Sequence, residues 1–324
     1  MESKVETGKR TVHEAEEITA LMPSIWESEH EQLDPGSFEA RYRFAFSPEA
    51  LVYEETFETR ERVVGALAKE FVAFAFACPS AREGGRWWGR EHPANGIPFG
   101  NGGTELDLVL PGNHRKSVVV FERKRFQNLF TDLAGYDPDF LNQQSVFLQS
   151  ADTDGESFRN RLDREILKAE QSSEGVPSDQ FSENLAGILI DSMLHSRDSR
   201  PTHGRTGALV RRAVSLAEDH AFRLSMAGLC RELRCGKRTL EYAFRDQLDL
   251  SPSDYLRARR FDTARKILLA TDPDEATVKE VAERLGFQAL GRFASQYRHQ
   301  FGEYPAETLR RLERTRVEPI PWRA

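Results

Sequence analysis

Arg238, Glu241, Tyr242 and Arg245 fall at i, i+3, i+4 and i+7, so a helix would put all four on one face, with Leu240 and Phe244 on the other. That face has the chemistry to read a nucleic acid duplex. Arg pairs with O6 and N7 of guanine, Glu accepts from the amino group of cytosine, and Tyr or a second Arg suits base edges or phosphates. We assign Arg238, Glu241 and Tyr242 to base edges, and Lys237, Thr239 and Arg245 to phosphates. A second quartet repeats the spacing: Arg292, Ser295, Gln296 and His299, set against Phe293, Tyr297 and Phe301. Here Gly291, Arg292, Ser295 and Gln296 are the base-reading candidates and Arg298 and His299 the phosphate ones. Gly291 removes bulk beside the face, letting backbone approach a duplex, at about 1 kcal/mol of helix propensity.

Each face needs a support helix and a tight turn. Leu224, Leu229 and Leu233 mark the buried side of the first support, and Arg234-Cys235-Gly236 the turn, where Gly236 is expected to take positive φ. Val278, Val281, Ala282 and Leu285 mark the second, followed by Gly286-Phe287-Gln288. Between the units, Ser251 is a natural cap and Pro252 a natural helix start. Ser253 to Leu269 then makes a rod of about 25 Å, suited to two reading helices in successive major grooves about 34 Å apart. A single pair of this kind is often just a packed hairpin; two in tandem point to DNA.

The stretch from about Leu224 to Arg311 resembles the C-terminal domain of AraC/XylS-type transcriptional regulators. YLRARRFDTARKILL, VAERLGF and FASQYRHQFGEYPAETLRR carry the likeness. The resemblance implies base reading at Arg238, Glu241 and Tyr242 and at Gly291, Arg292 and Ser295. It also implies an activator or repressor with an N-terminal sensing or dimerisation domain of cupin-like β structure. EQLDPGSFEARYRF, GGTELDLVLPGNH and LGRF are similar to a subgroup that includes ethanolamine-utilisation regulators. The short side chains at Gly291 and Ser295 assign most sequence choice to the first unit.

Charge is split along the chain. Thr206 to Arg316 holds 21 Lys and Arg against 16 Asp and Glu, whereas the whole protein is at −7. The acidity therefore belongs to the N-terminal part, and the positive excess suits phosphates. Cys78, Cys230 and Cys235 are too few for a disulfide scaffold or a four-ligand zinc site, which points to a reducing compartment, the cytoplasm. No leader pattern or membrane-spanning run is visible.

The expected fold class is α+β: an antiparallel cupin-like barrel with accessory helices, then an all-α domain of two helix-turn-helix units joined by a long helix. Residues 1–20 read as a flexible tail, 21–195 as the sensing domain, 196–207 as a linker, 208–315 as the DNA-binding domain and 316–324 as a tail. Period-two alternation at Phe38–Phe46, and runs at Leu51–Phe57, Val63–Ala77, Glu105–Leu110 and Ser117–Phe121, predict strands. Helical spacing follows from Glu122, Phe158 and Phe181. The stripe Leu185, Ile188, Leu189 and Ser192 packs on its own barrel or on a second copy. Gly100–Glu105 reads as a hairpin turn rather than a phosphate loop.

Two function classes remain open. One is a regulator that binds promoter DNA, with a small-molecule effector of unspecified identity, RNA polymerase as a candidate contact and a homodimer as the expected assembly. The other is an enzyme, a metal-dependent cupin or an alkyl-transfer protein, fused to a DNA-binding module. His30, His92 and His114 are scattered, with no H-x-H pair, and Cys78 is the one thiol in the N-terminal half. Catalytic residues, metal and cofactor are accordingly expected to be none. Trp87 and Trp88 line a ligand pocket or fill a core. Cys230 and Cys235 read as packed thiols, although Arg234 and Lys237 could lower the pKa of Cys235.

Overall fold

The computed structural model describes residues 3–77, 85–92, 96–142, 147–149, 156–193, 205–273, 276–311 and 318–322. Cys78, and residues 196–204 of the expected linker, lie outside them. The architecture is α+β, with antiparallel sheets in the N-terminal part and helices in the C-terminal part.

Eleven strands form among the described residues: β1 (Glu6–Val12), β2 (Trp26–Gln32), β3 (Ala40–Phe46), β4 (Ala50–Phe57), β5 (Glu61–Leu67), β6 (Phe71–Ala77), β7 (Arg86–Trp87), β8 (Gly96–Asn101), β9 (Glu105–Leu110), β10 (His114–Glu122) and β11 (Phe147–Gln149). They make a seven-stranded sheet, β1-β3-β4-β10-β6-β8-β11, and a four-stranded sheet, β2-β5-β9-β7. The expected closed barrel is not found: among the described residues no ladder joins the two sheets. Helix α1 (Ala15–Leu21) connects β1 to β2.

Strand β6, FVAFAFA, shows how sequence sorts the layers. Successive side chains point to opposite faces, so Ala73, Ala75 and Ala77 face the space between the sheets while Val72, Phe74 and Phe76 face outward. The outward face is covered by α2 (Arg123–Ala134), α3 (Glu156–Gln171) and α4 (Ser178–Met193). Phe74, Phe121, Phe126 and Phe181 are fully buried there, each contributing about 1.5–3 kcal/mol. Leu185, Ile188 and Leu189 belong to this cluster, so the α4 stripe is used within the chain.

Four expectations need correction. The N-terminal stretch is not a loose tail, because β1 pairs with β3 along its length, Glu6 opposite Phe46 and Val12 opposite Ala40. Near the C-terminus, Ile320 and Trp322 are buried with the inter-sheet core, and the Trp322 indole donates to the Ser47 carbonyl at 2.6 Å. Gly100–Glu105 is a tight turn, with Thr104 N–H donating to Asn101 O at 2.8 Å, yet it passes between sheets rather than closing a hairpin. Arg205–Gly207, placed in the linker, begins helix α5 (Arg205–Asp219).

The remaining helices are α6 (Met226–Leu233), α7 (Lys237–Leu248), α8 (Pro252–Ala270), α9 (Val278–Arg284), α10 (Leu290–Phe301) and α11 (Pro305–Leu309). α6 and α7 share a core with α5, and Leu33, just after β2, and Val109 of β9 join it. α9 and α10 form another cluster around Phe261, Phe293 and Tyr297.

Candidate nucleic-acid interface

The first reading face is built by caps and packing. Ser225 accepts from Gly228 N–H at 3.1 Å and starts α6, satisfying one of the free donors of the first turn. The turn that follows departs from expectation. Arg234, not Gly236, takes the left-handed conformation at φ 52°, while Gly236 is extended at φ −74° and caps α7. Leu240, Ala243, Phe244 and Leu248 are buried, fixing the rotation of α7. Lys237, Arg238, Thr239, Tyr242 and Arg245 are then exposed and Glu241 is half-buried. Tyr242 is 65 % exposed, unusual for so large an apolar ring. Glu241 lies 3.6 Å from Lys237, a solvated pair; Arg238 and Arg245 have no such partner among the described residues.

The second face is assembled likewise. Thr277 and Glu280 form a reciprocal capping box at the start of α9. The Thr277 N–H and hydroxyl both donate to the Glu280 carboxylate, at 2.7 and 2.8 Å, holding it below its ordinary pKa. Gly286 takes φ +78° at the turn. Phe293, Tyr297 and Phe301 are buried, leaving Gly291, Arg292, Ser295, Arg298 and His299 exposed and Gln296 half-buried. Arg298 turns back to donate to the Tyr304 hydroxyl at 2.7 Å. A Cβ added at Gly291 would meet open space.

Helix α8 lies between the two pairs, begun by Ser251, which accepts from Asp254 N–H at 3.1 Å, and by Pro252. Its 19 residues span about 28 Å. Between the pairs opens a cleft of about 620 Å³ that Arg257, Arg260 and Arg292 help to line. Arg260 stacks on Phe287 at 3.7 Å and donates to Leu285 O at 2.8 Å, while Arg223 donates to Glu283 O at 2.9 Å. Both guanidiniums thus sit at the C-terminal, electronegative end of α9.

Sequence reasoning missed how α8 is held. Tyr255, Asp262 and Arg265 are all buried on it, and charged residues on a buried stripe signal ionic partners. Those partners are N-terminal carboxylates. Arg259 meets Glu31 at 2.9 Å, Lys266 meets Glu29 at 3.2 Å and Arg265 meets Glu14 at 3.1 Å. The Tyr255 hydroxyl donates to Glu31 at 2.7 Å and accepts from Arg62, which grips Asp107 at 3.0 Å. Burial pushes the Asp262 carboxyl up to about 7 despite Lys266 and Arg259 beside it.

A family model described as a helix-turn-helix domain matches residues 229–311, both pairs and the helix between them. The chain is 40% identical over 129 residues to the "Probable thc operon regulatory protein" of Rhodococcus erythropolis, 39% of each chain. It is 31% identical over 139 residues to the XylDLEGF operon transcriptional activator of Pseudomonas putida, 42% of this chain and 43% of that one. The chain carries an AraC/XylS-type DNA-binding domain. It spans under half the length of these relatives, so the assignment concerns the AraC-type domain. Among solved structures it is similar to a transcriptional regulator from Chromobacterium violaceum with an AraC-type DNA-binding domain, at 27% identity over 33% of this chain and 93% of that one, TM-score 0.30. It is also similar to ToxT from Vibrio cholerae, at 11% identity over 94% and 98%, TM-score 0.31.

No group of three or more His, Cys, Asp or Glu suited to a metal occurs among the described residues. Burial first, then Cys230, raises the Cys235 thiol, opposite to the lowering that Arg234 and Lys237 could have produced. No helix among the described residues is long and apolar enough to cross a membrane.

Proposed function

We propose that this protein is a sequence-specific transcriptional regulator whose two helix-turn-helix units, α6–α7 and α9–α10, read adjacent major-groove segments of promoter DNA. The β layers act as its sensing unit for a small-molecule effector. One observation carries the reading: two successive helix pairs each bury an apolar stripe and leave a polar stripe at i, i+3, i+4 and i+7 in solvent. Among the described residues most of those side chains have no partner within the chain, whereas DNA offers partners for each.

Arg238, Glu241 and Tyr242 take base edges in the first unit, and Arg292, Ser295 and Gln296 do so beside Gly291 in the second. Lys237, Thr239, Arg245, Arg298 and His299 take phosphates. The regulatory unit spans 6–193 with the strap at 318–322, and the DNA-binding unit spans 205–311. The relatives named for operon regulation and transcriptional activation support this reading. Selection of bound oligonucleotides from a random pool with the full-length protein tests it. The expected site holds two half-elements about 10 base pairs apart, the first more sharply defined; recovery of no enriched sequence would overturn it.

A further inference from the structure

Helix α8 carries basic residues on two sides, and they are treated differently. Toward the β layers, Arg259, Arg265 and Lys266 each meet carboxylates. Toward the cleft of about 620 Å³ between the helix pairs stand Arg257 and Arg260, joined there by Arg292 of α10. Among the described residues no carboxylate lines that cleft.

The positive charge there is under-compensated. Arg257 meets Asp254 at 3.1 Å, but the two side chains are 63% and 48% exposed, and a solvated pair of this kind holds weakly. Arg260 has no ionic partner among the described residues, and its Nη2 is buried without an acceptor. Arg223 crowds it: a Cβ built on Gly286 would lie 2.8 Å from Arg223 Cγ and 3.3 Å from Arg260 Nη2. Burial first, then Arg223, holds the Arg260 guanidinium below its ordinary pKa. The carbonyls at the end of α9 offset this with partial charges only. The cleft is also continuous with the second reading face, because Arg292 and Gln296 belong both to its lining and to the polar stripe of α10. Its floor is apolar, with Leu224, Leu256, Phe287 and Phe293.

We propose that this cleft seats the sugar-phosphate backbone of the DNA between the two half-elements, with Arg257 as a phosphate ligand and Arg260 as a fixed charge behind it. The proposal deepens the regulator reading and rests on it. Three arguments select this occupant. Charge asks for an anion, since arginines face the cleft and no described carboxylate does. The apolar floor asks for more than a bare ion, and a DNA backbone brings deoxyribose between its phosphates. Continuity with Arg292 and Gln296 sets the cleft beside the groove that α10 reads. Contacts of this kind fix the register of the two heads without reading a base.

The test takes the duplex recovered by oligonucleotide selection with the full-length protein and replaces the phosphates midway between its half-elements by uncharged methylphosphonates. Affinity of the unaltered protein, read by fluorescence anisotropy, should fall about two- to tenfold. Arg257→Gln should lose about as much on the unmodified duplex, equally for every half-element sequence, with a salt slope lower by about one unit. The methylphosphonates should then cost that variant little more, and Arg257→Lys should keep the slope. Ser253→Glu puts a carboxylate four residues before Arg257, at an exposed position of the cleft lining, in a first turn that suits an acid. It should weaken DNA binding at least as far as Arg257→Gln. A midway substitution without effect, a full methylphosphonate penalty in Arg257→Gln, or an unchanged salt slope in that variant would each overturn the proposal. Unchanged DNA binding in both Arg257→Gln and Ser253→Glu would also overturn it, and would leave the cleft to an acidic protein segment. A selected site indifferent at its middle overturns the cleft proposal alone, whereas recovery of no site overturns the regulator reading with it.

Discussion

Arg238 and Arg245 stand on the same face of α7, both exposed and both without an ionic partner among the described residues, yet their removal should have different consequences. Arg238→Ala is expected to cost about 1–3 kcal/mol at one base position and relax sequence choice there, whereas Arg245→Ala should weaken all sequences alike and flatten the salt slope by about one unit. Fluorescence anisotropy on matched and single-mismatch duplexes, over a salt series, distinguishes them; equal losses on every duplex would refute the base role of Arg238. At Gly291 the space for a Cβ is open, so Gly291→Ala should stabilise α10 by up to about 1 kcal/mol in urea unfolding. If the bare backbone touches DNA, the same variant should bind it more weakly. His114 sets a pH dependence. Burial first, then Lys116, brings its pKa from 6.5 down to about 4, while its Nδ1 lies 2.6 Å from the Pro111 carbonyl. The unfolded chain takes up a proton as pH falls through 6.5 and the folded chain does not until about 4. The contribution of His114 to stability should therefore be level above 6.5 and fall across that window, by about 3 kcal/mol at most. His114→Gln keeps a donor for Pro111 but cannot titrate, and should remove that part of the slope between pH 6.5 and 4 in urea melts.

Helix α9 has seven residues, too short to persist without its cap and its contacts. Thr277→Ala removes the hydroxyl that accepts from Glu280 N–H at 3.3 Å, and should lower stability by about 1 kcal/mol. An unchanged urea midpoint would show that packing alone holds the helix. The elements were legible in proportion to how much one apolar face governed them. β3, ARYRFAF, alternates in sequence, and α7 and α10 carry clean stripes, so their faces and the exposure of Arg238, Tyr242 and Arg292 could be read from spacing. β1 could not, because ETGKRTV is an edge strand whose side chains mostly face water. β2, WESEHEQ, escaped for a different reason. It is polar on both faces, with Ser28 and His30 toward a cavity of about 80 Å³ between the two sheets and Glu29 and Glu31 toward α8. The α8 partners of Glu29 and Glu31 lie more than 200 residues away, and no local pattern records them. The left-handed Arg234 was likewise hidden, since spacing marks a turn without saying which residue bears the positive φ.

At the scale of the whole molecule, the same strand and helix touch both the cavity and the rod between the reading helices. Ser28 and His30 of β2 line the cavity while Glu29 and Glu31 hold Lys266 and Arg259. On α1, Ile18 lines the cavity, and Glu14 and Glu16, just before it and at its start, meet Arg265 at 3.1 and 3.8 Å. Two consequences follow. Arg259, Arg265 and Lys266 of α8 are engaged by carboxylates, so the salt slope of DNA binding should count the side chains of α7 and α10 and the cleft arginines, and not these three. Any displacement of β2 on binding of the effector ligand would also reach the helix that spaces the two heads. Coupling of this kind is reciprocal: the factor by which ligand changes DNA affinity must equal the factor by which DNA changes ligand affinity. Glu31→Gln weakens the link by removing the charge opposite Arg259, and Arg259 retains Glu218 at 2.7 Å. The expected result is a coupling factor that moves toward one in Glu31→Gln, equally in both titrations, with ligand affinity in the absence of DNA little changed. A factor that stays at the wild-type value would mean that β2 does not carry the communication and would direct attention to α1 and its contact with Arg265.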